Sequence, residues 1–333
     1  MVSRAFTPGV LVPLTTPFKP ENSDVDIEAL KAGVVRIAKA GMGIVLMGTN
    51  GEASHLNSEE RMEIISSARS ALDEAGLNSI PLLVGTGAGS ARASIKLAED
   101  AKKAGADFTI VIAPGYFSFV MGKDRQALHD FFTEVADKSP LPVMIYNFPG
   151  AAAGIDLDSD LIIALSEHQN IIGVKLTCAG IGKGARISKY VQTEEYKKRH
   201  PTPFLVMPGF TDYLLPSLVA RGDGCITGTG NIIPKTIAKL YQLSTKALSS
   251  GKVEDLRAAQ ELQDLVSQAD WIIVKAGIPG TKYALDQFAT DPTGKNLKLG
   301  GAVRSPLTQV SDATRKLINE GMRESVEYEK SLP

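Results

Sequence analysis

The sequence predicts an α/β fold, a (β/α)8 barrel with a C-terminal helical appendage. Eight short apolar runs rich in β-branched residues begin near Val10, Ile44, Leu82, Phe108, Val143, Ile171, Phe204 and Gly224, spaced 20 to 38 residues apart. That spacing holds a strand, a crossover helix and two loops. The runs IVLM, TIVIA and PVMIY are nearly all apolar instead of alternating, as expected of strands covered by helices on both faces. The eighth unit ends near Ser250, which matches the roughly 250 residues typical of such a barrel.

The first run is followed by an amphipathic segment from Ile27 to Ala40, closed by a basic residue and a glycine cap in Lys39-Ala40-Gly41. The second leads into a helix from Glu59 to Ala75. Ser58 reads there as a plain N-cap, because Arg61 and not an acid stands three residues on. The third run precedes a helix from Ala91 to Ala104, again closed by Lys103-Ala104-Gly105, and the fourth a helix from Arg125 to Asp137. The last four runs complete a catalytic barrel over residues 1–250. Residues 251–333 carry helical patterns from Val253 to Trp271, Thr281 to Phe288 and Ser311 to Tyr328. Between the last two lies the link Asp291-Pro292-Thr293-Gly294 with Gly300-Gly301. This tail reads as packed on the barrel. An open, doubly wound sheet has the same periodicity, because closure leaves no mark on it.

Composition narrows the function. With 36 basic and 37 acidic side chains among 333 residues, the chain lacks the basic footprint of a general nucleic-acid binder. No apolar run approaches the roughly 18 residues that cross a bilayer, so no membrane partner is expected. Met1-Val2-Ser3-Arg4-Ala5-Phe6 lacks the apolar core of a secretion signal, and Pro8 interrupts any helix there. Cys178 and Cys225 are too few for a disulfide framework or a multi-cysteine metal site, and four scattered histidines make no His-rich one. A cytoplasmic protein acting on small molecules is the expectation.

In a barrel of this type the chemistry sits at the C-terminal ends of the strands. Three stretches stand out there: Gly48 to Glu52, Tyr146 to Pro149 and Gly173 to Thr177. Lys175 is buried in the run Ile171 to Leu176, where a charge is costly unless paired or functional. Alternation puts Lys175 and Gly173 on one face and Ile172, Val174 and Leu176 on the other, toward the helix layer. Desolvation favours the neutral amine, the form that attacks a carbonyl to make a Schiff base. A lysine snorkelling at a strand end or closing an internal ion pair has the same sequence. Tyr146 shares a face with Met144, and on a neighbouring strand it is placed to shuttle a proton beside Lys175 or simply to fill the barrel top. The glycine-bounded loop carrying Thr49 and Asn50 offers donors for a carboxylate, or is an ordinary turn. Thr177 follows Lys175 by two and is placed to bond a substrate hydroxyl. Gly85-Thr86-Gly87-Ala88-Gly89-Ser90 invites a dinucleotide reading, but Ser90 stands where the fingerprint needs glycine. Thr227 to Asn231 sits where barrels often hold phosphate, yet contains no basic residue. Cys178 reads as a small buried hydrophobe.

At these positions the chain resembles the pyruvate-dependent class I aldolase family that includes dihydrodipicolinate synthase and N-acetylneuraminate lyase. The matching pieces are GVLVPLTTPF (9–18), GTNGEASHLNSEER (48–61), GTGAGSARASI (85–95), YNFPGAAAG (146–154), GVKLT (173–177) and TKYAL (281–285). They occur in the family's order across essentially the whole chain. The resemblance implies a TIM barrel, a homotetramer built as a pair of dimers, and no metal or organic cofactor. It implies that Lys175 is the Schiff-base lysine and Tyr146 the proton-transferring tyrosine. Thr49 and Asn50 match the carboxylate-holding loop, and Tyr116 the tyrosine that completes a neighbouring subunit's relay. Ile226 and Gly228, at the eighth strand, join Thr49, Asn50 and Thr177 as expected substrate contacts. Synthases of the family usually carry an arginine after the YN-x-P motif that grips a second carboxylate. Gly150 to Gly154 has alanines instead, and the loop looks one residue longer. That departure favours a neutral aldehyde partner, and the chain looks most similar to fungal aldolases of 2-keto-3-deoxy sugar acids.

The expected function is therefore cleavage of a 2-oxo-3-deoxy-4-hydroxy acid into pyruvate and an aldehyde through an imine on Lys175. The alternatives are condensation of pyruvate with aspartate semialdehyde, cleavage of 4-hydroxy-2-oxoglutarate, and a non-catalytic pyruvate-binding module.

Overall fold

The computed structural model describes residues 4–291 and 293–333. Met1 to Ser3 of the N-terminal reading, and Pro292 of the tail link, lie outside the described residues. Eight parallel strands run β1 (Gly9–Pro13), β2 (Gly43–Leu46), β3 (Leu82–Gly85), β4 (Phe108–Ile112), β5 (Val143–Asn147), β6 (Ile171–Leu176), β7 (Leu205–Pro208) and β8 (Gly224–Ile226). Their order is sequential, and β8 returns to pair with β1. The sheet is a nearly closed barrel, with an open ladder only between β7 and β8. Two bonds bridge that seam: Asp223 N–H to the Val206 carbonyl at 3.0 Å, and Val206 N–H to Asp223 Oδ2 at 2.7 Å. Burial there pushes the Asp223 carboxyl up to about 6.

The crossovers are α1 (Ile27–Lys39), α2 (Ser58–Glu74), α3 (Ala91–Ala104), α4 (Ser118–Met121), α5 (Arg125–Lys138), α6 (Ser159–Ser166), α7 (Ile181–Val191), α8 (Glu194–Arg199), α9 (Leu214–Val219) and α10 (Pro234–Ser250). The start of α2 departs from expectation. Asn57, not Ser58, is the cap, and it forms a capping box: Asn57 Oδ1 accepts from Glu60 N–H at 2.8 Å and Glu60 Oε2 from Asn57 N–H at 3.0 Å. The acid three residues on was present all along, counted from one position earlier.

Beyond residue 250 come α11 (Val253–Phe288), α12 (Asp312–Gly321) and α13 (Arg323–Ser331). The two patterns expected from Val253 to Trp271 and from Thr281 to Phe288 are two helical stretches that meet at Gly277, where a φ of 64° and a ψ of −161°, which only glycine adopts without strain, interrupt the helix. The pattern from Ser311 to Tyr328 is two helices meeting at Met322.

Two apolar layers flank the strands. Inside the barrel lie Leu11, Val45, Leu83, Ile110, Met144 and Leu205, while Val143, Ile145, Val174 and Leu176 face the helices. Each such fully buried aliphatic side chain stabilises the fold by about 1.5–3 kcal/mol relative to exposure. Ile172 corrects the alternation argument: it packs inside the barrel, not toward the helices. The register between β5 and β6 slips, pairing Val143 with Ile171 and Met144 with Gly173, and the extra residue turns Ile172 inward.

Candidate active site

The slip ends before the site, so β5 and β6 run in register where it matters. Tyr146 pairs directly with Lys175, and both side chains point to the barrel mouth. Lys175 is 6% exposed, and its Nζ sits 4.3 Å from the centre of the Tyr146 ring. The described residues give Lys175 no carboxylate partner, so the internal ion-pair alternative does not describe it. Gly173 leaves the space below Lys175 to the chain: a Cβ there would meet the Leu205 carbonyl oxygen at 2.6 Å. The Tyr146 hydroxyl lies 3.2 Å from Thr49 Oγ1, which links the end of β5 to the loop after β2.

These three residues share one cavity of about 290 Å3 at the barrel mouth. Gly85 and Gly87, which tempted a dinucleotide reading, line it. A Cβ at Gly85 would lie 1.9 Å from the Met47 carbonyl oxygen, and one at Gly87 2.8 Å from Ile112, so glycine there is a matter of close packing. Ala151 of the alanine loop lines the cavity wall after β5. That loop is tied down by Asn147, whose side chain donates to Asp156 at 2.7 Å and accepts from Leu157 N–H at 2.9 Å.

The other expected contacts surround this centre at different depths. Asn50 is half-buried and leans on Gly228, where a Cβ would stand 2.4 Å from its Nδ2. Ile226 is fully buried inside the barrel. Thr177 is buried against Gly209, outside the cavity lining, and its Oγ1 is without a hydrogen-bond partner. Tyr116 follows β4 and is 83% exposed, packed edge-on to Phe117 and not among the residues that line the cavity. Cys178 is half-buried, while burial pushes the Cys225 thiol up.

Several residues of the site escaped the sequence argument. Glu52 closes the GTNGE loop in a left-handed conformation and is fully buried, with its Oε1 2.5 Å from Lys282 Nζ. Its Oε2 meets His55 Nδ1 at 3.0 Å and accepts from Arg304 N–H at 3.1 Å. Lys282 also donates to the Ala302 carbonyl at 2.6 Å and lies over the Phe18 ring, which Arg304 covers as well. Arg304 in turn grips Glu60 and donates to the His55 carbonyl at 2.8 Å. The tail is thus stapled to the loop after β2, and it brings Ile278 and Leu307 to the cavity wall. Their signal in the sequence is that Glu52 lies in GTNGEASHLNSEER (48–61) and Lys282 in TKYAL (281–285).

On the β7–β8 side, Asp270 of α11 is buried and accepts from the Thr229 hydroxyl, Thr211 N–H at 3.0 Å and Asp212 N–H at 3.2 Å. Burial pushes its carboxyl up, and burial together with the Asp270 charge raises Asp212 to about 6. Among the described residues no group of three or more His, Cys, Asp or Glu is arranged to hold a metal ion. No helix among them is long and apolar enough to cross a membrane.

The fold and its mouth define a parallel (β/α)8 barrel that presents a buried lysine beside a tyrosine–threonine pair. The chain belongs to the dihydrodipicolinate synthetase family, whose model matches residues 7–324. It is 38% identical to the L-threo-3-deoxy-hexylosonate aldolase of Aspergillus niger, covering 98% of this chain and 97% of that one. An Emericella nidulans relative named “Probable 4-hydroxy-2-oxoglutarate aldolase, mitochondrial” is 42% identical, covering 100% and 99%. Among solved structures, a dihydrodipicolinate synthase family protein from Coccidioides immitis superposes with a TM-score of 0.84 at 33% identity over the whole of both chains. YagE of Escherichia coli K12, solved in complex with pyruvate, matches with a TM-score of 0.79 at 28% identity, covering 96% of this chain and 99% of that one.

Proposed function

We propose that this chain is a class I pyruvate aldolase that cleaves a 2-oxo-3-deoxy-4-hydroxy sugar acid into pyruvate and an aldehyde. One observation carries the reading: Lys175, Tyr146 and Thr49 meet in a single cavity, with Nζ 4.3 Å from the tyrosine ring and the two hydroxyls 3.2 Å apart. In the neutral form the Lys175 amine adds to C2 of the 2-oxo acid, and the Tyr146 phenol gives its proton to the departing hydroxide, which leaves as water, so that a protonated imine and a Tyr146 phenolate result. Tyr146 removes the proton from the C4 hydroxyl, the C3–C4 bond breaks, and its electron pair flows into the imine to give an enamine. The aldehyde departs, C3 takes up a proton, and water releases pyruvate from Lys175. The imine is itself the electron sink, so the scheme calls for no metal or organic cofactor.

Thr49 hands the phenol its hydrogen-bond partner and, with Asn50, holds the carboxylate. Gly228 leaves room for the Asn50 amide. Ile226 and Thr177 stand behind the pocket wall at the ends of β8 and β6, outside its lining. The exposed Tyr116 suits a relay that a second subunit completes, in a homotetramer built as a pair of dimers and located in the cytoplasm. Light scattering of the purified chain and cell fractionation check those two points.

The loop after β5 puts Ala151 in the cavity wall, which favours a neutral aldehyde over aspartate semialdehyde. The 42% identical relative supports a second reading, cleavage of 4-hydroxy-2-oxoglutarate. Borohydride reduction in the presence of pyruvate is the decisive test. It is expected to leave a stable adduct on the peptide carrying Lys175, read by mass spectrometry, and an unmodified Lys175 refutes the mechanism. Turnover of six-carbon sugar acids against 4-hydroxy-2-oxoglutarate ranks the two substrates.

A further inference from the structure

We propose that His55, oriented by Glu52, is the specificity-determining residue that recognises a hydroxyl on the aldehyde half of the substrate. This rests on the aldolase reading above and extends it to the far end of the same cavity. In a ring of eight strands ordered sequentially, β2 stands opposite β6. The loop after β2 therefore faces Lys175 across the mouth. Thr49 and Asn50 lie on its inner part, against Tyr146 and Gly228. Ala53 to His55 form one short helical turn further out, and Ser54 and His55 line the cavity there.

The His55 ring is held on one side only. Its Nδ1 lies 3.0 Å from Glu52 Oε2, and a carboxylate accepts, so Nδ1 carries the proton. In the neutral ring this leaves Nε2 an acceptor, and Nε2 has no partner among the described residues. Glu52 is fixed independently, by Lys282 at 2.5 Å and by Arg304 N–H at 3.1 Å. The His55 backbone is fixed as well, through its carbonyl bond from Arg304 at 2.8 Å. A ring that anchors nothing else, yet is locked in one tautomer at a cavity wall, is built to accept a hydrogen bond from a ligand. A hydroxyl supplies that donor, whereas a second carboxylate has none to give. Ile278 and Leu307 of the tail add apolar surface to the lining of the same cavity, which suits the carbon chain.

The test uses the full chain in the condensation direction, with pyruvate and either glyceraldehyde or propanal, which has the same carbon chain without the hydroxyls. His55→Phe is expected to lower the glyceraldehyde-to-propanal ratio of kcat/KM about tenfold, the worth of one neutral hydrogen bond. The loss falls on KM for glyceraldehyde, and kcat with propanal stays unchanged. His55→Gln, closer in polarity and a safer fold, is expected to lose less of the ratio. An unchanged ratio in His55→Phe, or an equal loss of kcat with both aldehydes, overturns the proposal and marks His55 as a mere staple for Glu52. Borohydride trapping of pyruvate on Lys175 is run alongside. If the wild type forms no adduct, the aldolase reading falls and takes this proposal with it. An adduct with an unchanged ratio defeats this proposal alone.

Discussion

Replacing Lys282 by Met tests whether the tail is a structural part of the mouth. The side chains of Lys282 and Glu52 are 2% and 0% exposed, and their charges are 2.5 Å apart. Burial pushes the Lys282 ammonium down, and the Glu52 charge opposes that shift. Methionine keeps the stem that packs over Phe18 but leaves the Glu52 carboxylate buried with His55 and one backbone N–H. Removing one partner of a buried pair costs about 3–5 kcal/mol, because the other charge is stranded. With an unfolding entropy of about 2.1 cal/mol/K per residue, 333 residues give roughly 0.7 kcal/mol/K, so the expected fall in Tm is about 4–7 °C. Thermal unfolding followed by circular dichroism reads it. In a double-mutant cycle, Glu52→Gln with Lys282→Met is expected to be less destabilised than the two single losses added together. A fall of less than about 1 °C for Lys282→Met, or strict additivity in the cycle, refutes the claim that this pair locks the tail to the mouth.

Three further outcomes are expected. Tyr146→Phe lowers kcat for cleavage by about 10²–10⁴ with little change in KM, measured by coupled pyruvate release, and a loss below threefold removes Tyr146 from proton transfer. Gly228→Ala places a Cβ 2.4 Å from Asn50 Nδ2, so the amide must move. KM for the 2-oxo acid then rises more than kcat falls, and an unchanged KM separates Asn50 from carboxylate binding. Asp223 is raised from 3.8 to about 6 by burial, so the native state holds its proton more tightly than the unfolded chain. Its contribution is complete below about pH 4 and is lost as pH rises through about 6. Urea midpoints at pH 4, 5 and 6 are expected to show that decline in the wild type and a flatter profile in Asp223→Asn. Parallel profiles contradict the assignment.

The barrel was legible because each strand is buried on both faces, so its run is apolar throughout and its spacing records a crossover helix. Lys175 was legible for the same reason, as a charge inside such a run. The inward turn of Ile172 is not legible in the sequence, because a register slip leaves no mark when neighbouring residues are all apolar. The cap at Asn57 is ambiguous in the sequence, because Ser58 is an equally good cap one residue later. The GTGAG glycines looked like a phosphate loop, since close packing against Met47 and Ile112 asks for the same residue type as anion binding.

The sequence by itself determined the barrel, its order of elements and the lysine and tyrosine at its mouth, because hydrophobic periodicity and a stranded charge are properties of neighbouring residues. Tertiary structure alone decided that Glu52 meets Lys282, that Arg304 reaches back to Glu60, and that Ile278 and Leu307 wall the cavity. Those contacts join residues about 230 to 250 positions apart. Nothing local marks such a pair: a glutamate in a loop and a lysine in a helix both look solvent-facing until the fold removes the water between them.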